Sequence, residues 1–228
     1  EFTKLSNRLD LVASFVPVGA RLLDVGSDHA YLPIALLQEG KIEAAIAGEV
    51  VEGPYQSALQ NVADNGLEDK IEVRLANGLA AFEPTDGISC ITIAGMGGRL
   101  IADILAAGLE KLASVSRLVL QPNNREDELR AWLVDHDFRI VDEAILEENE
   151  KFYEILVVEH GSQELTAKEL RFGPYLMREQ APAFVQKWSK EVEKLAFALE
   201  QVPVENQSAR ASLEERITHI KEVLHVSK

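Results

Sequence analysis

The sequence predicts an α/β fold: a mostly parallel sheet with helices on both faces, a terminal antiparallel strand pair, and a C-terminal helical hairpin. Three observations carry this. Short apolar runs alternate with helix-compatible stretches through the first 160 residues, the signature of parallel strands joined by helical crossovers. The last two runs are separated only by Glu148–Lys151, too short a link for a parallel crossover. Beyond residue 160, apolar residues recur at steps of three and four, the period of a buried helix seam.

The elements follow in order. Strands are predicted at Arg21–Gly26, Ala44–Val51, Lys70–Leu75, Ile88–Ala94 and Arg117–Gln121, and the antiparallel pair at Arg139–Glu147 and Phe152–Glu159. Helices are predicted at Ala30–Glu39, Gly53–Asn65, Gly98–Leu112 and Arg125–His136. Phe172-Gly173-Pro174 interrupts a helical stretch. After it, Val185, Trp188, Val192, Leu195, Leu199 and Val202 form one seam, and Leu213, Ile217, Ile220 and Leu224 a second, with Pro203–Asn206 between them. The chain therefore divides into a sheet domain, 1–160, and a coiled-coil-like helical arm, 161–228. Either the arm is structural packing, or it binds a partner or a long substrate.

Composition narrows the function. The chain has 228 residues and a net charge of −15. Residues 161–228 hold ten basic and ten acidic residues, so the whole excess lies in the sheet domain. A broadly basic nucleic-acid surface is excluded, and any polyanion must be met by local cations. Cys90 is the single cysteine. It rules out an internal disulfide and a multi-cysteine metal site, reads as a small core residue, and fits a reducing, cytoplasmic setting. No apolar run approaches a membrane span, and the first residues lack a signal-peptide pattern. His136, His160, His219 and His225 lack metal-ligand spacing among themselves and read as ordinary surface or packing histidines, and no metal is expected.

Ligands of such sheets bind beyond the carboxyl ends of the strands. Those ends read Gly26-Ser27-Asp28-His29, Gly48-Glu49-Val50, Ala76-Asn77-Gly78, Ala94-Gly95-Met96 and Gln121-Pro122-Asn123. Gly26 permits close backbone approach. The loop lacks the further glycines of a dinucleotide fingerprint, and Asp28 would repel a pyrophosphate. Glu49, 23 residues past Gly26, can accept both hydroxyls of a ribose. Asn77 can bond an adenine edge, with Gly78 leaving room, although Asn-Gly is also an ordinary turn. Together these residues favour an adenosine ligand without phosphates, which is S-adenosylmethionine (SAM).

The runs DVGSDHAYLP (24–33), GEVV (48–51), ANGL (76–79), AGMGG (94–98), QPN (121–123) and FGPYL (172–176) resemble the bacterial TrmK-type tRNA adenine-N1 methyltransferases. The resemblance runs along nearly the whole chain. It implies a class I SAM-dependent methyltransferase domain with a helical arm, acting on adenosine 22 in the D-arm region of tRNA. It also implies roles for single residues. Asp24, Gly26, Asp28 and His29 would line the methionine and ribose end of SAM, and Arg8 would reach its carboxylate. Glu49 and Val50 would hold the ribose and flank the adenine. Asn77 and Gly78 would meet the adenine edge, and Gly95 and Met96 would form the wall near the methyl group.

Adenine N1 carries an in-plane lone pair and needs no general base, so alignment is the main demand. Attack from exocyclic N6 would call for a side-chain acceptor after the fourth strand, where this chain has Ala94-Gly95-Met96-Gly97-Gly98. Catalytic candidates are Asp28, Tyr31 as a stacking ring for the displaced base, and Gln121 and Asn123 as readers of the adenine edge. Lys187, Lys190 and Lys194 share a helix face and would meet RNA, with Arg99, Arg125, Arg171 and Arg178 as further cations. The expected partner is tRNA, with no membrane and no DNA, and the chain acts as a monomer or weak dimer. The alternatives are a small-molecule SAM-dependent methyltransferase and a non-catalytic SAM- or RNA-binding module.

Overall fold

The computed structural model describes residues 2–224. His225, which the sequence reading treats as an ordinary histidine, lies outside the described residues. Seven strands form one sheet: β1 Arg21–Val25, β2 Ala44–Glu49, β3 Ile71–Leu75, β4 Cys90–Met96, β5 Arg117–Pro122, β6 Phe138–Glu148 and β7 Lys151–His160. Their order is β3-β2-β1-β4-β5-β7-β6. β1 to β5 run parallel, and β7 lies antiparallel between β5 and β6. The chain winds outward from β1 to β3, then returns to add β4 beside β1. The β1/β4 boundary is thus the switch point at which ligands bind in such sheets.

Helices cover both faces. α1 Asn7–Ser14, α2 Tyr31–Gln38 and α3 Glu52–Asp64 pack on one side, burying Val12, Leu32, Ile34, Ala58 and Val62 against Leu22, Ala45 and Val119. α4 Gly98–Ala107 and α5 Glu126–Asp135 cover the other, where Ile101, Leu105, Leu129 and Leu133 meet Leu23, Ile91, Ile93 and Leu118. Alternate residues of each central strand point to opposite faces, so strands covered on both sides read as continuous apolar runs. Cys90 is buried there, and burial pushes its thiol up to about 12. It is a packing residue, as the sequence reading has it.

Two predicted elements end earlier than expected, and one helix was not expected. β2 stops at Glu49, and Val51 instead caps α3 in an extended conformation. The helix predicted over 98–112 ends at Ala107 and continues as a 3-10 turn, Leu109–Ser114. Gly108 sits at that break, where a Cβ would lie 2.7 Å from Cβ of Leu79. α1 went unrecognised, although Ser6 at its start accepts a hydrogen bond from Leu9 N–H at 3.2 Å, the usual serine N-cap.

The C-terminal part is α6 Ala167–Phe172, α7 Pro174–Glu179, α8 Pro182–Gln201 and α9 Gln207–Leu224. Trp188, Leu195, Ile220 and Val223 are buried in a third core with Phe172, Leu176 and Phe184, against which Leu213, Ile217 and Leu224 also pack. The two seams therefore meet within one chain. Val185 is a correction to the predicted seam: it is exposed, and its neighbour Phe184 is fully buried in its place. The core also takes in Ile145 from β6, so the hairpin is seated on the sheet's antiparallel edge.

Candidate active site

The first loop is held in an uncommon conformation. Gly26, Asp28, His29 and Ala30 all have positive φ, at 66°, 46°, 61° and 58°. Three consecutive non-glycine residues there store strain, a recurrent mark of ligand-binding loops. Asp and His tolerate this region better than most residues. A Cβ on Gly26 would stand 2.5 Å from Cε of Met96, a flexible side-chain end that can yield, so it is the positive φ of 66° that favours glycine here. Glu49, buried at the end of β2, accepts the Asp28 N–H at 3.1 Å and pins the loop. Asn61 holds it from α3 by donating to the His29 carbonyl at 2.6 Å.

Asp24 is buried below this loop. It accepts hydrogen bonds from Ser27 Oγ and Thr92 Oγ1, both at 2.7 Å. Burial nevertheless raises its carboxyl to about 6, with the nearby Glu49 charge adding to the effect.

Arg8 enters from α1. Its Nη1 donates to Gln121 Oε1 at 2.7 Å, and its guanidinium lies 5.6 Å from the Tyr153 ring centroid. Glu148 accepts the backbone N–H groups of Asn7 and Arg8 at 2.9 and 3.2 Å, so the β6–β7 turn fixes the start of α1. Arg8, Asp24, Gly26, Ser27, Asp28, Tyr31, Gly95 and Met96 line a cavity of about 230 Å³. That volume suits an amino-acid-sized group.

Gln121 is fully buried, and both ends of its amide are occupied. Oε1 accepts from Arg8 and from Gly95 N–H at 2.9 Å, while Nε2 donates to the Pro122 carbonyl and to Asn123 Oδ1 at 3.0 and 3.1 Å. This corrects its expected role: no free edge of Gln121 is left to read a base. Gly95 makes the arrangement, since φ of +82° at the irregular β4/β5 register turns its N–H toward Gln121. Asn123 and Asn124 are exposed beyond it.

Val50 is exposed at the mouth, and Tyr31, half-exposed, stacks on His29 at 5.1 Å between ring centroids. Asn77 and Gly78 lie off to one side, in a second cavity of about 420 Å³ shared with Leu100 and Ile104. A Cβ on Gly78 would crowd Ile104 at 3.1 Å, and its φ is +56°.

A larger groove of about 730 Å³ opens beside Asn123 and Asn124. Lys151, Phe152 and Tyr153 from β7 form one wall, and Lys190 and Lys194 from α8 the other. Tyr153 lines this groove and stacks on Arg8, which lines the smaller cavity. Sequence reasoning passed over Tyr153 because its strand reads only as an apolar run.

The predicted cations fare unevenly. Lys187 is no free charge: it is largely buried and donates to Glu126 at 2.8 Å and to Glu154. Arg99 and Arg125 both pair with Glu128. Arg171 packs on the rings of Phe172 and Trp188, and burial lowers its pKa. Lys190 lies 5.3 Å from the Phe152 ring centroid. Lys151, Lys190 and Lys194 have no ion-pair partner among the described residues.

A doubly wound sheet with an antiparallel terminal pair, glycine-shaped switch-point loop and carboxylate at the end of β2 defines a Rossmann-like SAM-dependent methyltransferase. The particular family is equally plain. A family model described as tRNA (adenine(22)-N(1))-methyltransferase, TrmK, matches residues 22–222, and the chain belongs to that family. The Bacillus subtilis (strain 168) tRNA (adenine(22)-N(1))-methyltransferase is 40% identical over 232 residues, covering 97% of each chain. A Streptococcus pneumoniae structure in complex with S-adenosyl-L-methionine is 66% identical, with a TM-score of 0.91, across 97% of this chain and all of that one. The M. capricolum TrmK in complex with S-adenosyl-homocysteine is 29% identical, with a TM-score of 0.86, across 98% of this chain and 99% of that one. Among the described residues no helix is long and apolar enough to cross a membrane.

Proposed function

We propose that this chain methylates N1 of adenosine 22 in tRNA, with SAM as methyl donor. The observation that carries the reading is the adjacency of two spaces. The small cavity at the switch point, lined by Arg8, and the large groove, lined by Tyr153 and Asn123, lie on either side of the Arg8–Tyr153 contact. One is sized for the methionine end of a donor, and the other for a polymeric acceptor.

The residues present fit SAM. The backbone at Gly26 is open to close approach, and Arg8 offers a guanidinium to a carboxylate. Glu49 keeps Oε2 for ribose hydroxyls while Oε1 holds the loop. Asp24 and Asp28 place negative charge near a cationic group, Gly95 and Met96 form the wall near the methyl group, Val50 flanks the adenine, and Asn77 and Gly78 meet its edge. When bound, SAM supplies an electrophilic methyl group, which passes to the N1 lone pair as its bond to sulfur breaks.

The chain's work is orientation. Gln121 acts as a positioning residue, holding Arg8, Gly95 and Asn123 in one arrangement. Asn123 offers its amide to the base, and Tyr31 gives an exposed face for stacking. The transfer leaves a positive charge on the adenine ring, and the exposed Asp28 carboxylate stabilises that charge as it develops. No side chain needs to remove a proton from N1.

The groove carries the flanking RNA. Its exposed lysines give phosphate contacts on a chain whose overall charge repels polyanions. The hairpin closes on itself, which supports action as a monomer, and the location of tRNA makes the cytoplasm the place of action.

The test is methylation of a tRNA transcript with adenosine at position 22, followed by nucleoside mass spectrometry. One equivalent of 1-methyladenosine is expected, and none when position 22 is guanosine. Methylation of free adenosine at the same rate, or of N6, would overturn the reading.

A further inference from the structure

A chain of five charged side chains runs from the arm to the start of α5, just after the loop that follows β5. Arg130 on α5, Glu143 on β6 and Glu154 on β7 have side-chain exposures of 0%, 0% and 1%. Arg130 donates to Glu143 Oε2 at 2.8 Å and to Glu154 Oε1 at 2.6 Å. At one end, Glu143 Oε1 accepts the Tyr175 N–H at 2.9 Å, the first turn of α7. Arg130 Nη1 also donates to the Leu170 carbonyl in α6 at 3.1 Å. At the other end, Lys187 on α8 joins Glu154 to Glu126.

Stability does not account for this arrangement. A buried ion network costs several kcal/mol per charge in lost hydration, and apolar side chains of similar volume usually serve as well. Here two cations face three carboxylates, so one negative charge is left over. What the network provides is direction. Glu126 is the first residue of α5, three positions after Asn123. Lys190 and Lys194 lie one and two turns along α8 from Lys187, on the groove wall opposite Asn123 and Asn124.

We propose that Lys187 is a positioning residue for methyl transfer. By bridging Glu126 and Glu154 it locks α8 to the loop after β5, setting the distance between the RNA-facing lysines and the site of the target base. This rests on the reading of the groove as the tRNA track.

The experiment compares wild type with Lys187→Met, Glu126→Gln and the control Glu128→Gln. Glu128 sits on the same helix, in surface pairs with Arg99 and Arg125. Steady-state kinetics with the tRNA transcript are measured beside calorimetric SAM affinity and thermal unfolding. Lys187→Met strands a buried carboxylate and can fail to fold. Glu126→Gln leaves the Lys187–Glu154 pair intact and keeps the readout. Expected is a rise in KM for tRNA of about tenfold for Glu126→Gln, equivalent to about 1.4 kcal/mol, with SAM affinity unchanged and no such rise for Glu128→Gln.

A purely structural network would lower the unfolding temperature without moving KM. A second arm adds Lys190→Glu with Lys194→Glu. If Glu126 and Lys187 act by placing those lysines, Glu126→Gln adds little in that background, whereas full additivity overturns the proposal. Equal KM for Glu126→Gln and Glu128→Gln overturns it too. A wild-type protein that forms no 1-methyladenosine would instead sink the reading of the activity.

Discussion

Asp24 and Glu49 show how much one carboxylate's surroundings decide. Asp24 has a folded-state pKa of about 6, raised from 3.8 chiefly by burial. The folded chain thus keeps a proton that the unfolded chain has released, so this group's stabilisation is full below the unfolded value and is lost as pH rises through about 6. SAM affinity should move the other way, because a cationic donor favours the ionised carboxylate. Calorimetry from about pH 7.5 to about pH 5 should show weakening affinity below the folded pKa, and Asp24→Asn should be weaker throughout and flat. A wild-type profile as flat as the variant's would remove Asp24 from donor binding. Glu49→Gln is the cleaner probe of the ribose contact, since its amide oxygen can still accept the Asp28 N–H. Its SAM affinity should fall by about 1.5–3 kcal/mol, the range for a bond to a charged group, measured by the same titration. Unchanged affinity would place the ribose elsewhere.

The α6–α7 junction is where a sequence motif and a packing requirement meet. Phe172 fills the third core, Pro174 starts α7, and Gly173 passes between two buried charged groups. A Cβ on Gly173 would lie 2.7 Å from both Arg130 Nη2 and Glu143 Oε1, and its φ is +88°. Gly173→Ala should therefore cost at least the roughly 1–3 kcal/mol of a strained backbone position, read as a lower denaturant midpoint. A variant as stable as wild type would mean that the network shifts freely. The motif was legible as a helix break, but its reason was not, because Arg130 and Glu143 are 43 and 30 residues away in sequence.

Charge distribution governs how the whole molecule meets RNA. With a net charge of −15, binding rests on few contacts. Lys187, Arg99, Arg125 and Arg171 are already engaged, which leaves Lys151, Lys190 and Lys194 at the groove. The slope of log K against log salt should be about −2 to −3, from about −0.7 to −0.9 per phosphate contact, measured by fluorescence anisotropy with labelled tRNA. A slope beyond about −5 would require phosphate contacts well outside this groove.

The alternation of apolar runs determined the strands, their parallel winding and the antiparallel pair, because local periodicity and link length suffice for those. Strand-end residues such as Gly26, Glu49 and Asn77 were legible as candidates for the same reason, since ligands of such sheets bind beyond the strand ends. Only the tertiary structure decided which of the polar residues are free to act. Gln121 and Lys187 look like available groups in the sequence, yet the Gln121 amide oxygen and the Lys187 ammonium are each taken by partners more than 20 residues distant. Tyr153 reads as part of an apolar strand, yet it lines the groove and stacks on Arg8 of the smaller cavity. Side-chain satisfaction is a property of three-dimensional neighbours, and the order of residues along one chain does not contain it in readable form.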